Sequence, residues 1–235
     1  MTSFRTALSG KFFVLMLLLA ARPVFGADDL PKVLAKLDSS STQFRSAQAD
    51  ISWDNVQTEP LPDTDSQAGT VLFERKAGQL SMALHLKTDN GKPVLKDMVY
   101  SGGLFKLYEP RIKQMQVFKA GSNRAEYDTF LTLGFGGSGK DLQRTWDVSY
   151  SGAEAVDGQQ AWKLTLAPKE ESVRKTFPKV VLWVDMSRGI ALKQQSFDPS
   201  GNYRVVTYRN IRLNESVPGN AFELKPPAGT NIVNH

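Results

Sequence analysis

The chain has 235 residues, with 29 Lys+Arg against 24 Asp+Glu, two His and no Cys. The absence of cysteine excludes disulfides, thiolate metal sites and a lipid-bearing cysteine behind a leader. Three of the bases (Arg5, Lys11, Arg22) fall in residues 1–26, which hold no acid; the remaining 26 Lys+Arg against 24 Asp+Glu leave +2, too little for a nucleic-acid footprint.

The first predicted element is a leader. Arg5 and Lys11 precede the apolar run "FFVLMLLLA" (12–20), and "ARPVFGA" follows with small residues. This is the layout of a secretory signal peptide. Nine apolar residues fall well short of the roughly 20 that a membrane-spanning helix needs. Val24 and Gly26, as the small residues at −3 and −1, place cleavage near Gly26/Ala27. Residues 1–26 therefore read as a signal peptide and 27–235 as a single domain, soluble, exported and without a lipid anchor of its own.

Residues 28–48 read as an amphipathic helix. Leu30, Val33, Leu34, Leu37 and Phe44 keep one apolar stripe. Pro31 is tolerated in a first turn, and the serines at 39–41 are expected to split or kink the helix. From there the period changes to two. Eleven short runs, from "ADISW" and "GTVLFER" to "IALKQQSFD" and "YRVVTYRNIRL", are rich in β-branched and aromatic residues. Turn pairs such as Asn90-Gly91, Asp157-Gly158 and Arg188-Gly189 separate many of them. In "SMALHLK" the residues Met82, Leu84 and Leu86 face one way. In "AWKLTLAP" Trp162, Leu164 and Leu166 do the same. Strands with one apolar face each fit a meandering antiparallel sheet. About ten to eleven of them should curl or close rather than lie flat. "TEPLPDTDSQ" (58–67) reads as a polar loop.

One helix interrupts the strands. Asn123 and Glu126 resemble a capping box, Tyr127, Phe130 and Leu131 make its apolar stripe, and Gly134 stands where helices end. The next segment, "GFGGSGKD" (134–141), satisfies G-x-G-x-x-G and all but the last position of G-x-x-x-x-G-K-[ST], where Asp141 stands instead. A phosphate loop should follow a buried strand and open a helix. Here a helix precedes the loop, at most one turn follows before Trp146 resumes strand alternation, and no parallel βαβ pattern surrounds it. The segment reads as a helix stop and hinge, with Gly136 and Gly137 as its flexible residues and Lys140 solvated.

No catalytic constellation emerges. His85 sits on the polar face of a strand and His235 is the last residue. Neither has metal-ligand spacing or a G-x-S-x-G neighbour. The reading is a non-enzyme with no cofactor, no metal, no nucleotide and no nucleic-acid partner. A curled sheet with few helices to fill it, carrying thirteen Phe, six Tyr and four Trp, tends to enclose an apolar cavity suited to acyl chains.

"GGLFKLYEPRIKQMQVF" resembles the periplasmic outer-membrane lipoprotein carrier (LolA-like) family. Tyr108, Pro110 and Gln114 take the places of its Tyr-x-Pro strand and the Gln-containing strand after it. "GTVLFERKAGQLSM" is similar to its Gly…(aromatic)-x-Arg strand through Gly69, Phe73 and Arg75. "FELKPPAGTNIV" is similar to its closing Phe-x-x-x-Pro-x-Gly segment through Phe222, Pro226 and Gly229. The likeness runs over the whole mature chain. One departure is Lys106, where family members often carry Trp.

The resemblance implies a mainly β (α+β) fold: a strongly curved, unclosed antiparallel β-barrel whose helices cover an apolar cavity, as in LolA and LolB. It also implies a monomeric carrier that takes lipoproteins from an inner-membrane ATP-driven exporter to an outer-membrane acceptor. Helices 28–48 and 124–133 would be the lid, and Arg75 the latch that binds lid carbonyls. The candidate cavity residues are Phe73, Met82, Leu84, Leu86, Leu107 and Tyr108 on one side. Phe130 and Leu131 from the second helix, with Trp162, Leu164 and Trp183, complete the set. The rival readings are a carrier of another lipid, such as a glycolipid or pigment precursor, and a sensor of mislocalised lipoproteins.

Overall fold

The computed structural model describes residues 29–121 and 133–235. The expected leader and nearly all of the expected helix 124–133, Phe130 and Leu131 included, lie outside these residues.

Helix α1 spans Asp29–Gln43 and buries Val33, Leu34 and Leu37. Asp29 in its first turn complements the helix dipole. It is shorter than the predicted 28–48, because Ser46 already opens a strand. The serines do not split it either. Ser39 and Thr42 return their hydroxyls to Lys36 O and Ser39 O, one turn back, while Ser40 and Ser41 point theirs outward to distant partners.

The strands are β1 (Ser46–Gln57), β2 (Asp63–Lys76), β3 (Gln79–Asp89), β4 (Lys92–Ser101), β5 (Leu104–Glu109) and β6 (Gln114–Lys119). After the undescribed stretch come β7 (Trp146–Val156), β8 (Gln159–Pro168), β9 (Lys179–Asp185), β10 (Ala191–Phe197), β11 (Tyr203–Leu213) and β12 (Asn231–Asn234). They form one 12-stranded sheet in the order β12-β6-β5-β4-β3-β2-β1-β11-β10-β9-β8-β7. All eleven predicted runs are strands. The twelfth has four residues, too few for alternation to show, and it pairs parallel to β6 with Val233 opposite Gln116. Its ends, β12 and β7, do not pair with each other, so the sheet is unclosed.

The predicted loop 58–67 shrinks to 58–62. Asp63 to Gln67 extend β2 against β1, since ladder hydrogen bonds need no apolar side chain. Asn90-Gly91 and Asp157-Gly158 turn with positive φ at both residues, as two-residue hairpins require.

One buried cluster joins α1 to inward-facing residues of β1–β4 and β7–β11. Strands far apart in the sheet order therefore share one core, which is what curling accomplishes. A second, smaller cluster of Val156, Ala161, Val181, Trp183 and Leu192 lies on the opposite face of β7–β10. Two short α-helices, α2 (Gly139–Thr145) and α3 (Glu171–Thr176), and a 3-10 turn at Pro110–Ile112 complete the described fold.

Candidate functional site

The concave face of the sheet is filled at one end and hollow at the other. At the filled end α1 and the loop 133–138 lie over β7–β9 and the start of β10. Phe135 is fully buried. It stacks on Phe73 of β2 (4.8 Å between centroids, 15° between planes) and meets Tyr208 of β11 edge-on (4.9 Å, 78°). These three rings form a partition.

Beyond the partition lies a cavity of about 500 Å³, within the size range of small-molecule sites. Most of its wall is apolar: Phe73 and Tyr208 from the partition, Ile51, Val71, Leu84 and Val206 from the strands. Met82 and Met98 add unbranched, adaptable surface. Ser172, Val173 and Thr176 of α3, with Phe177 behind it, cover the cavity. The polar wall groups on the sheet are Gln194, Ser196 and Arg204. Burial pushes the Arg204 guanidinium below its ordinary pKa, although arginine keeps its charge at neutral pH.

Arg75 stands two residues beyond Phe73 on the same face of β2. Its Nη1 donates to Ser41 O (3.1 Å) in the last turn of α1, and its Nη2 donates to Gly136 O in the glycine loop. The Ser41 hydroxyl donates to that same Gly136 carbonyl at 2.6 Å. The guanidinium carbon lies 5.6 Å from the Phe44 ring centre. One side chain of the sheet therefore holds both the end of α1 and the loop that carries Phe135.

A second clamp fastens α1. Asp185 is buried, and its carboxylate accepts from Ser187 N and Oγ, Arg188 N and Arg188 Nε (2.6–2.9 Å). Burial alone would raise its pKa, but these hydrogen bonds outweigh burial and lower it. The turn so formed offers Arg188 O to the Ser40 hydroxyl of α1 at 2.6 Å.

Of the residues expected at the cavity, Phe73, Met82 and Leu84 line it. Leu86, Trp162 and Leu164 are buried in the main core away from it. Tyr108 is buried and Leu107 half-buried on β5, off the cavity wall. Trp183 is a correction: it faces outward in the second cluster, with Lys163 and Lys193 over its ring at 5.1 and 4.5 Å. The uninterrupted apolar run of β9 gave no alternation from which to tell its faces apart. Helix α1 packs on the filled end and does not line the cavity. The described helix that does is α3, which sequence reasoning left unassigned. The signal was present: Glu171 in its first turn and Arg174 and Lys175 in its last match the helix dipole.

The glycine loop needs two corrections. It opens a helix of seven residues, not one turn at most. The helix N-terminus is nonetheless occupied by protein: the Ser138 hydroxyl accepts from Asp141 N, and Asp38 of α1 accepts from Lys140 N. Nor are three of its four glycines, Gly134, Gly136 and Gly139, free joints. A Cβ on Gly134 would collide with Ala191 Cβ, one on Gly136 would stand 2.6 Å from the Phe44 ring, and one on Gly139 2.5 Å from Leu34 O. They are glycines of close approach, and the loop is a packed strap. Elsewhere, half-exposed His85 pairs with Asp97 across β3 and β4 (2.8 Å). No cluster able to hold a metal occurs among the described residues.

This geometry matches known proteins loosely in sequence and clearly in fold. A family described as an uncharacterized protein matches residues 106–222. A curated relative, uncharacterized protein MJ0687 of Methanocaldococcus jannaschii, is 22% identical over 95% of this chain; the chain spans 60% of that relative's length. An uncharacterized conserved protein from Thermus thermophilus aligns over 87% of this chain and 98% of its own, at 10% identity and a TM-score of 0.54. MucB aligns over 88% of this chain and 66% of its own, at 15% identity and a TM-score of 0.51. The fold is shared with these two structures. It is the unclosed, curled antiparallel sheet under helices that the motifs around Arg75 and Tyr108 implied.

Proposed function

We propose that this protein is a periplasmic carrier that shields acyl chains in the 500 Å³ cavity, and that its cargo is a lipoprotein moved from the inner to the outer membrane. The observation that carries the reading is the apolar cavity itself, left open on a concave face whose other end is filled. Each buried methylene is worth about 0.8 kcal/mol, so a chain of a dozen carbons supplies on the order of 10 kcal/mol of transfer free energy. Release must offset that. A cover held by a few hydrogen bonds, each worth about 0.5–1.5 kcal/mol net, supplies an adjustable opposing term.

In this reading α3, which covers the cavity, is the part that moves, and the Arg75-held strap is the wall that stays. An ATP-driven exporter in the inner membrane is the donor, an outer-membrane protein is the acceptor, and the carrier works as a monomer. A second reading, a carrier or sensor of another lipid, is favoured by Arg204, Gln194 and Ser196 in the cavity wall, which a purely apolar acyl group would not need.

Mass spectrometry of protein purified natively from the periplasm, without detergent, tests the proposal. An acyl-bearing species in the extract is expected, a lipopeptide for the first reading and a free lipid for the second. Protein that carries no acyl species and takes none up sinks both. In a transfer assay between membrane fractions, Arg75→Leu should change the rate of cargo uptake or release.

A further inference from the structure

The cavity is graded along its length, and the strand register shows how. Directly opposed residues of antiparallel strands share a face, as do residues two apart on one strand. Tyr208 on β11 lies opposite Ile51 on β1, at the partition end. The next inward row is Trp53, Val206 and Gln194, from β1, β11 and β10. The row after that is Asn55, Arg204 and Ser196. From Tyr208 to Arg204 is four residues, or about 13 Å of strand. The wall therefore passes from aromatic and aliphatic groups to an amide, a hydroxyl and a guanidinium.

The polar end is built. Arg204 Nε donates to Asn55 Oδ1 (3.0 Å), and its guanidinium carbon lies 4.6 Å from the Trp53 ring centre. These contacts fix the plane of the group, and among the described residues it forms no ion pair. Asp65, the next acid along that row on β2, accepts instead from Asn90. Gln194 and Ser196 are 8% and 6% exposed, line the cavity and make no side-chain hydrogen bond to a described residue. A half-buried cation beside two polar side chains with unused hydrogen-bonding capacity favours an occupant that brings acceptors into the space.

We infer that the occupant of this cavity is an amphiphile with an anionic oxygen head group, a carboxylate or phosphate, bound by Arg204, Ser196 and Gln194, with its acyl chain running toward Phe73 and Tyr208. The inference rests on reading the cavity as an acyl-chain site. Guanidinium suits planar, bidentate recognition of such oxyanions, and charge-assisted bonds are about twice as strong as neutral ones. The Ser196 hydroxyl and Gln194 amide supply further donors, and no proton transfer is involved. A neutral head group would leave the guanidinium without a counter-charge.

Calorimetric titration of the full mature chain with dodecanoate, dodecyl phosphate and monododecanoyl glycerol, each below its critical micelle concentration, tests it. The expected result is at least a tenfold preference for the anionic amphiphiles over the neutral one. Arg204→Gln should erase that preference while still binding the neutral lipid, and Arg204→Lys should keep part of it. Equal wild-type affinity for all three overturns the inference and leaves the acyl-carrier reading standing. A preference that survives in Arg204→Gln removes Arg204 from the site. Failure to bind any of the three overturns the carrier reading with it. Displacement of dodecanoate by inorganic phosphate alone at equal concentration means a free-anion site, and the amphiphile inference falls. The wild-type preference is read without any variant, so a misfolded substitution cannot obscure the answer.

Discussion

The two ends of the concave face are made from the same sheet and comparable residues, yet only one is filled. At the filled end, Phe135 from the strap stacks on Phe73, and Val33, Leu34 and Leu37 from α1 share one buried cluster with Leu164, Leu182 and Val184. At the hollow end, Val71, Met82, Leu84 and Val206 face a cavity. Apolar strand faces do not by themselves make a core. A face becomes core only where another element is pinned over it, and here Arg75 and the Asp185 turn pin α1 and the strap to one end alone. The filled end should therefore carry stability and the hollow end binding.

The sharpest way to break this comparison is at its boundary. Phe135→Ala removes a fully buried ring from the partition, and should cost about 3–5 kcal/mol in denaturant unfolding. It should also enlarge the cavity into the filled end. A loss under about 1 kcal/mol would mean that the partition is not part of the core.

A smaller effect is expected at the second clamp. Asp185→Asn weakens the turn that holds Ser40, and should lower stability by about 1–3 kcal/mol near neutral pH. The sign with pH follows from the lowered folded pKa of Asp185. Its stabilisation is fully present above the unfolded value of about 3.9 and is lost as pH falls through the lower folded value. The wild-type minus variant difference should therefore shrink on acidification; a difference that grows would contradict this assignment.

The smallest effect on stability is predicted at the hollow end. Val206→Phe adds bulk into open space and should shift unfolding by no more than about 0.5 kcal/mol, while abolishing amphiphile uptake in the same titration. A large destabilisation would show that the hollow end is core after all.

Eleven of the twelve strands, most of their turns and the apolar side of the alternating ones were legible in the sequence, because alternation and turn chemistry are local properties. The helix at α1 was legible for the same reason, although its end was not: Phe44 continues the helical stripe in sequence and leaves it in space. The hinge reading of "GFGGSGKD" failed because a glycine that avoids a clash looks in sequence like a glycine that swings, and only Ala191, Phe44 and Leu34, from elements distant in the chain, tell them apart. Arg75 was identified through the resemblance, but its partners 34 and 61 residues away were not readable from spacing.

By itself, then, the sequence determined a curled antiparallel sheet with one apolar face. Tertiary structure decided which end of that face is plugged, that α3 rather than α1 covers the hollow, and that Arg204 turns inward beside Ser196. The physical reason is that period-two patterning states which side of a strand avoids water. It does not state what will stand opposite, because that is set by contacts such as Ser40 to Arg188, 148 residues apart.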